Sequence, residues 1–159
     1  MENLTSYLND HLAGSVGALE LVDRLLETYE GKPLQFFFQE LRGDIQEDQE
    51  KLQELIQKLG ATESAVRKAG AWLVEKFSRA KMPLGRSSEE EIGLFLALEA
   101  LALGISGKRF LWHALEAASK VVPQLARLDY VGLEKRAKEQ GDRVEAKRLE
   151  MAPVVLKPE

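Results

Sequence analysis

Apolar residues return every three or four positions through most of this chain, the period of one face of an α-helix. From Asn3 to Tyr29 that face carries Leu4, Leu8, Leu12, Leu19, Val22 and Leu26. Gly31-Lys32-Pro33 then combines a helix stop with a helix start. A second face runs from about Pro33 to Leu59, through Leu41, Ile45, Asp48, Leu52 and Leu55, and Gly60 supplies a C-cap. A shorter segment over 62–81 carries Val66, Ala69, Leu73 and Phe77, with Thr62 or Ser64 as its cap. Ser88-Glu89-Glu90-Glu91 opens a fourth helix that continues to Ser119, with acids in the turn where the helix dipole favours them. A fifth is expected from Pro123 to about Leu149.

No strand pattern competes with this reading. Alternating β-branched runs are lacking, and no Asn-Gly or Asp-Gly turn separates apolar runs. The expected class is all-α, with four long helices and one short helix between the second and third. A helix of 27 residues is about 40 Å long, and the middle segment of ~20 residues is about 30 Å as helix. That is long enough to return most of the way along the bundle. Helices two and four of the five would then run in the same direction, as in a four-helix bundle with a single long crossover. One domain over 1–150 and an irregular tail over 151–159, which holds two prolines, complete the expected organisation.

Composition narrows the possibilities by exclusion. The chain has 159 residues and no cysteine, which removes disulfides, thiolate metal sites and cysteine nucleophiles. Net charge is −4 and no basic block is present, so nucleic acid is not the expected partner. The apolar stretch from Ile92 to Ile105 is too short for a membrane span. The start of the chain lacks a basic region followed by an apolar run. A cytoplasmic location is the expectation. Neither a glycine-rich phosphate loop nor a nucleophile elbow is found.

Small residues form a pattern of their own. Gly93, Ala97, Ala100, Gly104 and Gly107 fall on one side of the fourth segment, and Gly14, Gly17 and Ala18 on the first. Glycine inside a helix costs up to about 1 kcal/mol against alanine. Close approach of two helix backbones, within the chain or across a homodimer interface, is the expected compensation; ligand access is the other reading. Trp72 and Trp112 are expected to pack in a core or interface rather than to bracket a ligand. The Lys135 to Arg148 run mixes both signs at helical spacing and reads as a solvated face.

The order of helices and the segment Glu47-Asp48-Gln49-Glu50-Lys51-Leu52 resemble the ferritin-like superfamily. The opening run Tyr7 to Ala13 and the additional middle helix are most similar to the YciE/YciF-type bacterial stress-associated proteins. The resemblance spans about Asn3 to Leu149. It implies a di-iron centre in which two helices give one Glu each and two give a Glu-x-x-His pair. Residues three apart share a helix face, so both can reach one metal pair. This chain has no Glu-x-x-His, and the two slots on its second helix read Ile45 and Asp48.

The expected function is therefore that of a non-catalytic interaction or stress-associated bundle without its di-iron centre, without a cofactor, and paired as a homodimer. The alternative is a rebuilt site for Fe, Mn or Zn in a metal-binding oxidase or storage protein. Residue counts place His11, Asp48, His113 and Asp129 about 12, 16, 9 and 12 Å from helix ends on one side of the bundle. Two imidazoles and two carboxylates at one level would suit those metals. Asp44 with Glu99 forms a second, weaker cluster. Against both stands ordinary pairing: Asp48 with His11, Asp129 with His113, or either acid with Arg109 or Arg127.

Overall fold

A computed structural model describes residues 1–60 and 87–158. The described residues form four long helices and no strand: α1 Glu2–Thr28, α2 Leu34–Lys58, α3 Ser87–Ser119 and α4 Tyr130–Val155. The short helix expected over 62–81 lies outside the described residues. No described helix is long and apolar enough to cross a membrane.

The first two helix ends follow the punctuation in the sequence. Gly31 and Gly60 adopt φ of 72° and 70°, the left-handed region that glycine enters without steric cost, and they turn the chain out of α1 and α2. Pro33 sits at the N-cap of α2, where its missing N–H removes no helical bond.

The start of α4 differs from expectation. Pro123–Leu125 is a separate 3-10 turn, and the helix begins only at Tyr130. Leu125 is fully buried, and the Tyr130 hydroxyl donates to its carbonyl at 2.6 Å. Core anchoring of the turn thus displaces the helix start by seven residues. The tail differs as well. Residues 151–155 continue α4 through Pro153, although the ring removes one N–H and crowds the carbonyl four residues back. Half-buried Met151 packs on the core, and Leu156 N–H closes the last turn on the Ala152 carbonyl at 3.0 Å.

Side-chain pairs fix the directions of the helices. Arg42 meets Asp23 at 2.5 Å and Gln49 meets Ser15 at 2.9 Å, so α1 and α2 are antiparallel. Arg109 to Glu134 at 2.7 Å and Arg148 to Glu99 at 3.1 Å make α3 and α4 antiparallel. Arg136 with Glu47 and Arg143 with Asp44 do the same for α2 and α4. Two helices antiparallel to α4 run the same way, so α2 and α3 point in one direction.

Around the bundle the order is α1, α2, α4, α3. Each helix contributes apolar residues to one continuous core, among them Leu12 of α1, Phe38 of α2, Leu98 of α3 and Val144 of α4. The α1–α2 and α3–α4 seams are the closely packed ones. The α2–α4 seam is crossed by ion pairs, and the α1–α3 seam opens into a cavity.

Candidate functional site: a buried lysine and an adjoining cavity

Three buried stripes are each interrupted by one polar residue, and the three residues meet. On α2, Asp48 falls between Ile45 and Leu52; on α4, Gln140 falls between Ala137 and Val144; on α3, Lys108 falls between Ile105 and Leu111. These positions share the core-facing register of their helices. The Asp48 side chain is 1 % exposed and that of Lys108 is 16 % exposed.

Lys108 Nζ donates to Asp48 Oδ2 at 2.7 Å and also to Gln140 Oε1. Gln140 Nε2 donates to the same Asp48 oxygen at 3.0 Å. The second carboxylate oxygen, Oδ1, has Arg136 Nη2 at 3.5 Å, an ionic contact too long for a good hydrogen bond. Arg136 is in turn held by Glu47 at 2.9 Å. Burial depresses the Lys108 pKa below the usual lysine range, and the Asp48 carboxylate opposes that shift. The result is an interhelical ion pair closed on three helices.

The residues expected to ligate a metal do not assemble. Among the described residues, no group of three or more His, Asp or Glu is placed to hold a metal ion. Asp48 takes the lysine partner just described instead of an imidazole. Asp129 lies at the N-cap of α4, where it accepts from Gly132 N–H at 3.0 Å. A Cβ at Gly132 would run into that carboxylate, so glycine leaves the cap its room. The helix starts at Tyr130, so Asp129 stands at its end and not two turns inside it.

His113 is half-exposed and faces Glu134 at 3.5 Å, one position beyond the buried Leu111 and Trp112. His11 alone of the other three lines the same cavity as Asp48. Its ring meets Tyr7 edge-on at 4.7 Å. The second cluster is also divided. Asp44 pairs with Arg143, and Glu99 with Arg148 at 3.1 Å. Arg109 binds Glu134 rather than Asp129.

Burial holds the His11 pKa below its ordinary value, with nearby Asp10 opposing more weakly. As pH falls below about 6.5, the unfolded chain takes up a proton that folded His11 refuses. This contribution to stability is therefore complete above pH 6.5. It is lost between 6.5 and the depressed folded value, and the loss stops below that. Denaturation midpoints measured across this range should fall more steeply in the wild type than in His11→Gln. Parallel curves would exclude His11 as a source of the slope.

Beside the ion pair lies a cavity of about 340 Å³ between α1 and α3, floored by α2. Its walls are mainly apolar, from Ala18, Leu21, Leu52, Leu101 and Ile105, and Gly14 and Gly104 stand at its exposed edge. A Cβ built on Gly14, Gly104 or Gly107 meets nothing within 4 Å. Close backbone approach within the chain therefore does not account for these three glycines. Gly14 and Gly104 border the cavity instead.

Lys108 and Gln140 were missed by sequence reasoning. Their signal was the same as that of Asp48, a polar residue at a core position of an apolar stripe. Lys108 stands beside Arg109, the basic residue weighed as a partner for the acids. Gln140 was hidden within a run read as a solvated face. No family model matches the chain, and no curated protein or solved structure does either.

Proposed function

We propose that this chain is a non-catalytic, ferritin-like interaction protein, of the stress-associated kind, in which a lysine ammonium replaces the di-iron centre. One observation carries the reading. Lys108 Nζ sits at the centre of the bundle against Asp48, which occupies the His slot of the Glu-x-x-His pattern. A tethered cation there satisfies the carboxylate and opposes a second cation by like charge. The shared direction of α2 and α3 supports the single-crossover connectivity.

The test is anaerobic loading with Fe(II), followed by measurement of bound iron per folded chain and of O₂ uptake. The expected result is neither iron nor O₂ uptake above that of a bundle lacking metal ligands. Stoichiometric iron with O₂ uptake would overturn the reading.

The partner in this proposal is a second copy of the chain. Leu96, Leu103 and Phe110 are 54 %, 68 % and 67 % exposed and recur at seven-residue steps along α3. Seven-residue spacing keeps all three on one stripe, and a stripe on one helix can pair with itself across a two-fold axis. Sedimentation equilibrium should show a dimer that becomes monomeric in the Leu103→Asp/Phe110→Asp variant. A monomeric wild type at micromolar concentration would refute this pairing.

A further inference from the structure

We propose that the cavity between α1 and α3 is a binding site for a small, mainly apolar, uncharged molecule carrying one hydrogen-bond-acceptor oxygen. The volume of about 340 Å³ falls at the lower end of the roughly 300–1,000 Å³ range of small-ligand sites. Such sites combine an apolar lining with a few placed polar groups, and this one has the same division.

The polar groups define the ligand. Trp112 closes the inner wall and is 1 % exposed; its indole Nε1 is enclosed and has no hydrogen-bond partner among the described residues. Lys108 also lines the cavity. Its ammonium has three N–H groups, of which Asp48 and Gln140 use two. The third N–H gives the site a donor, which one acceptor oxygen on the ligand would satisfy.

Charge selects against a carboxylate ligand. Asp48, another lining residue, already balances Lys108. A second carboxylate beside it would meet like charge in a poorly hydrated place. A ketone, ester or ether oxygen supplies the acceptor without that cost. The apolar body would lie between the glycine-bearing faces of α1 and α3. Open space beside Gly14 and Gly104 gives it entry, and occupation of that space by the ligand explains the absence of larger residues. This site does not depend on the bundle being free of iron; Leu103 of the proposed pairing stripe also lines it.

The test compares 2-octanone, octane and octanoate on the full chain carrying Trp72→Phe, which leaves Trp112 as its only tryptophan. Calorimetry and Trp112 emission are both recorded. One saturable site is expected. Octanone should bind about three- to tenfold more tightly than octane, the worth of one net hydrogen bond, and more tightly than octanoate. In the Lys108→Met/Asp48→Asn chain, which removes the lysine donor and its counter-charge together, octane should still bind and the preference for octanone should shrink.

Gly104→Leu fills the entry with a better helix former, so it should fold and lose at least tenfold in affinity. Gly43→Leu is an equally open helical position away from the cavity and should bind as the wild type does. Absence of saturable binding, equal affinity for octane and octanone, preference for octanoate, or unchanged binding in folded Gly104→Leu would each overturn the proposal.

Discussion

Replacing Lys108 by methionine should lower the free energy of unfolding by about 3–5 kcal/mol, the usual cost of breaking a buried ion pair from one side. Methionine fills much of the same volume, so the loss would come from charge rather than packing. It would leave the almost fully buried Asp48 carboxylate with Gln140 Nε2 at 3.0 Å on one oxygen and Arg136 at 3.5 Å from the other. Those two contacts hold the expected loss towards the lower end of the range. Urea denaturation of the two proteins measures it directly.

The second half of the experiment separates the pair from the site. Lys108→Met combined with Asp48→Asn removes both charges and keeps an amide oxygen to accept from Gln140. That double variant should regain at least half of the loss, because the penalty resides in the uncompensated carboxylate. A single variant within about 0.5 kcal/mol of wild type would contradict the pair as a source of stability. A double variant as unstable as the single one would place the loss in packing.

Phe38→Ala should cost about 3–5 kcal/mol, whereas Phe110→Ala at dilute protein concentration should stay within about 0.5 kcal/mol. The residue type is the same and the environments are opposite. Phe38 is fully buried, with ring centroids 5.2 Å from Phe37 and 6.1 Å from Tyr29. Its removal leaves a void in an interior that relaxes only partly. Phe110 is two-thirds exposed on α3. Thermal and urea denaturation at two concentrations distinguish the possibilities. A Phe110→Ala loss that grows with protein concentration would mark the ring as covered by another chain. Phe38→Ala with little effect would contradict the assignment of this part of the core.

Helix ends were legible where backbone chemistry is local. Gly31, Pro33 and Gly60 each act through their own φ, and each falls where the sequence places it. The start of α4 was not legible in the same way. Pro123 is a good first helical residue, but here tertiary anchoring of Leu125 and the Tyr130 hydroxyl hold a separate turn. Asp129 then serves the helix end, a role that its neighbours Tyr130 and Gly132 signal more directly than any metal chemistry. Pro153 likewise stays inside the final turn of α4, next to Met151 packed on the core, which a local rule omits.

The site was half legible. Asp48 stood out because an acid in an apolar stripe requires a partner, and it has one. The identity of that partner depends on which helices neighbour α2 and at what height. Lys108 is sixty residues away and Gln140 ninety-two, so no spacing rule joins them. Reading all four helices for polar residues in core register would have named the three together. The cavity had a weaker trace, in glycines whose cost needed an explanation.

The cation at the centre of this bundle belongs to the chain. A bound ion would occupy its place according to a dissociation constant and the free concentration around it. Lys108 is present at a fixed stoichiometry from the moment of synthesis, so no dilution or chelator can remove it from Asp48. The pairing is an intramolecular equilibrium, coupled to the folding of the chain that carries both groups.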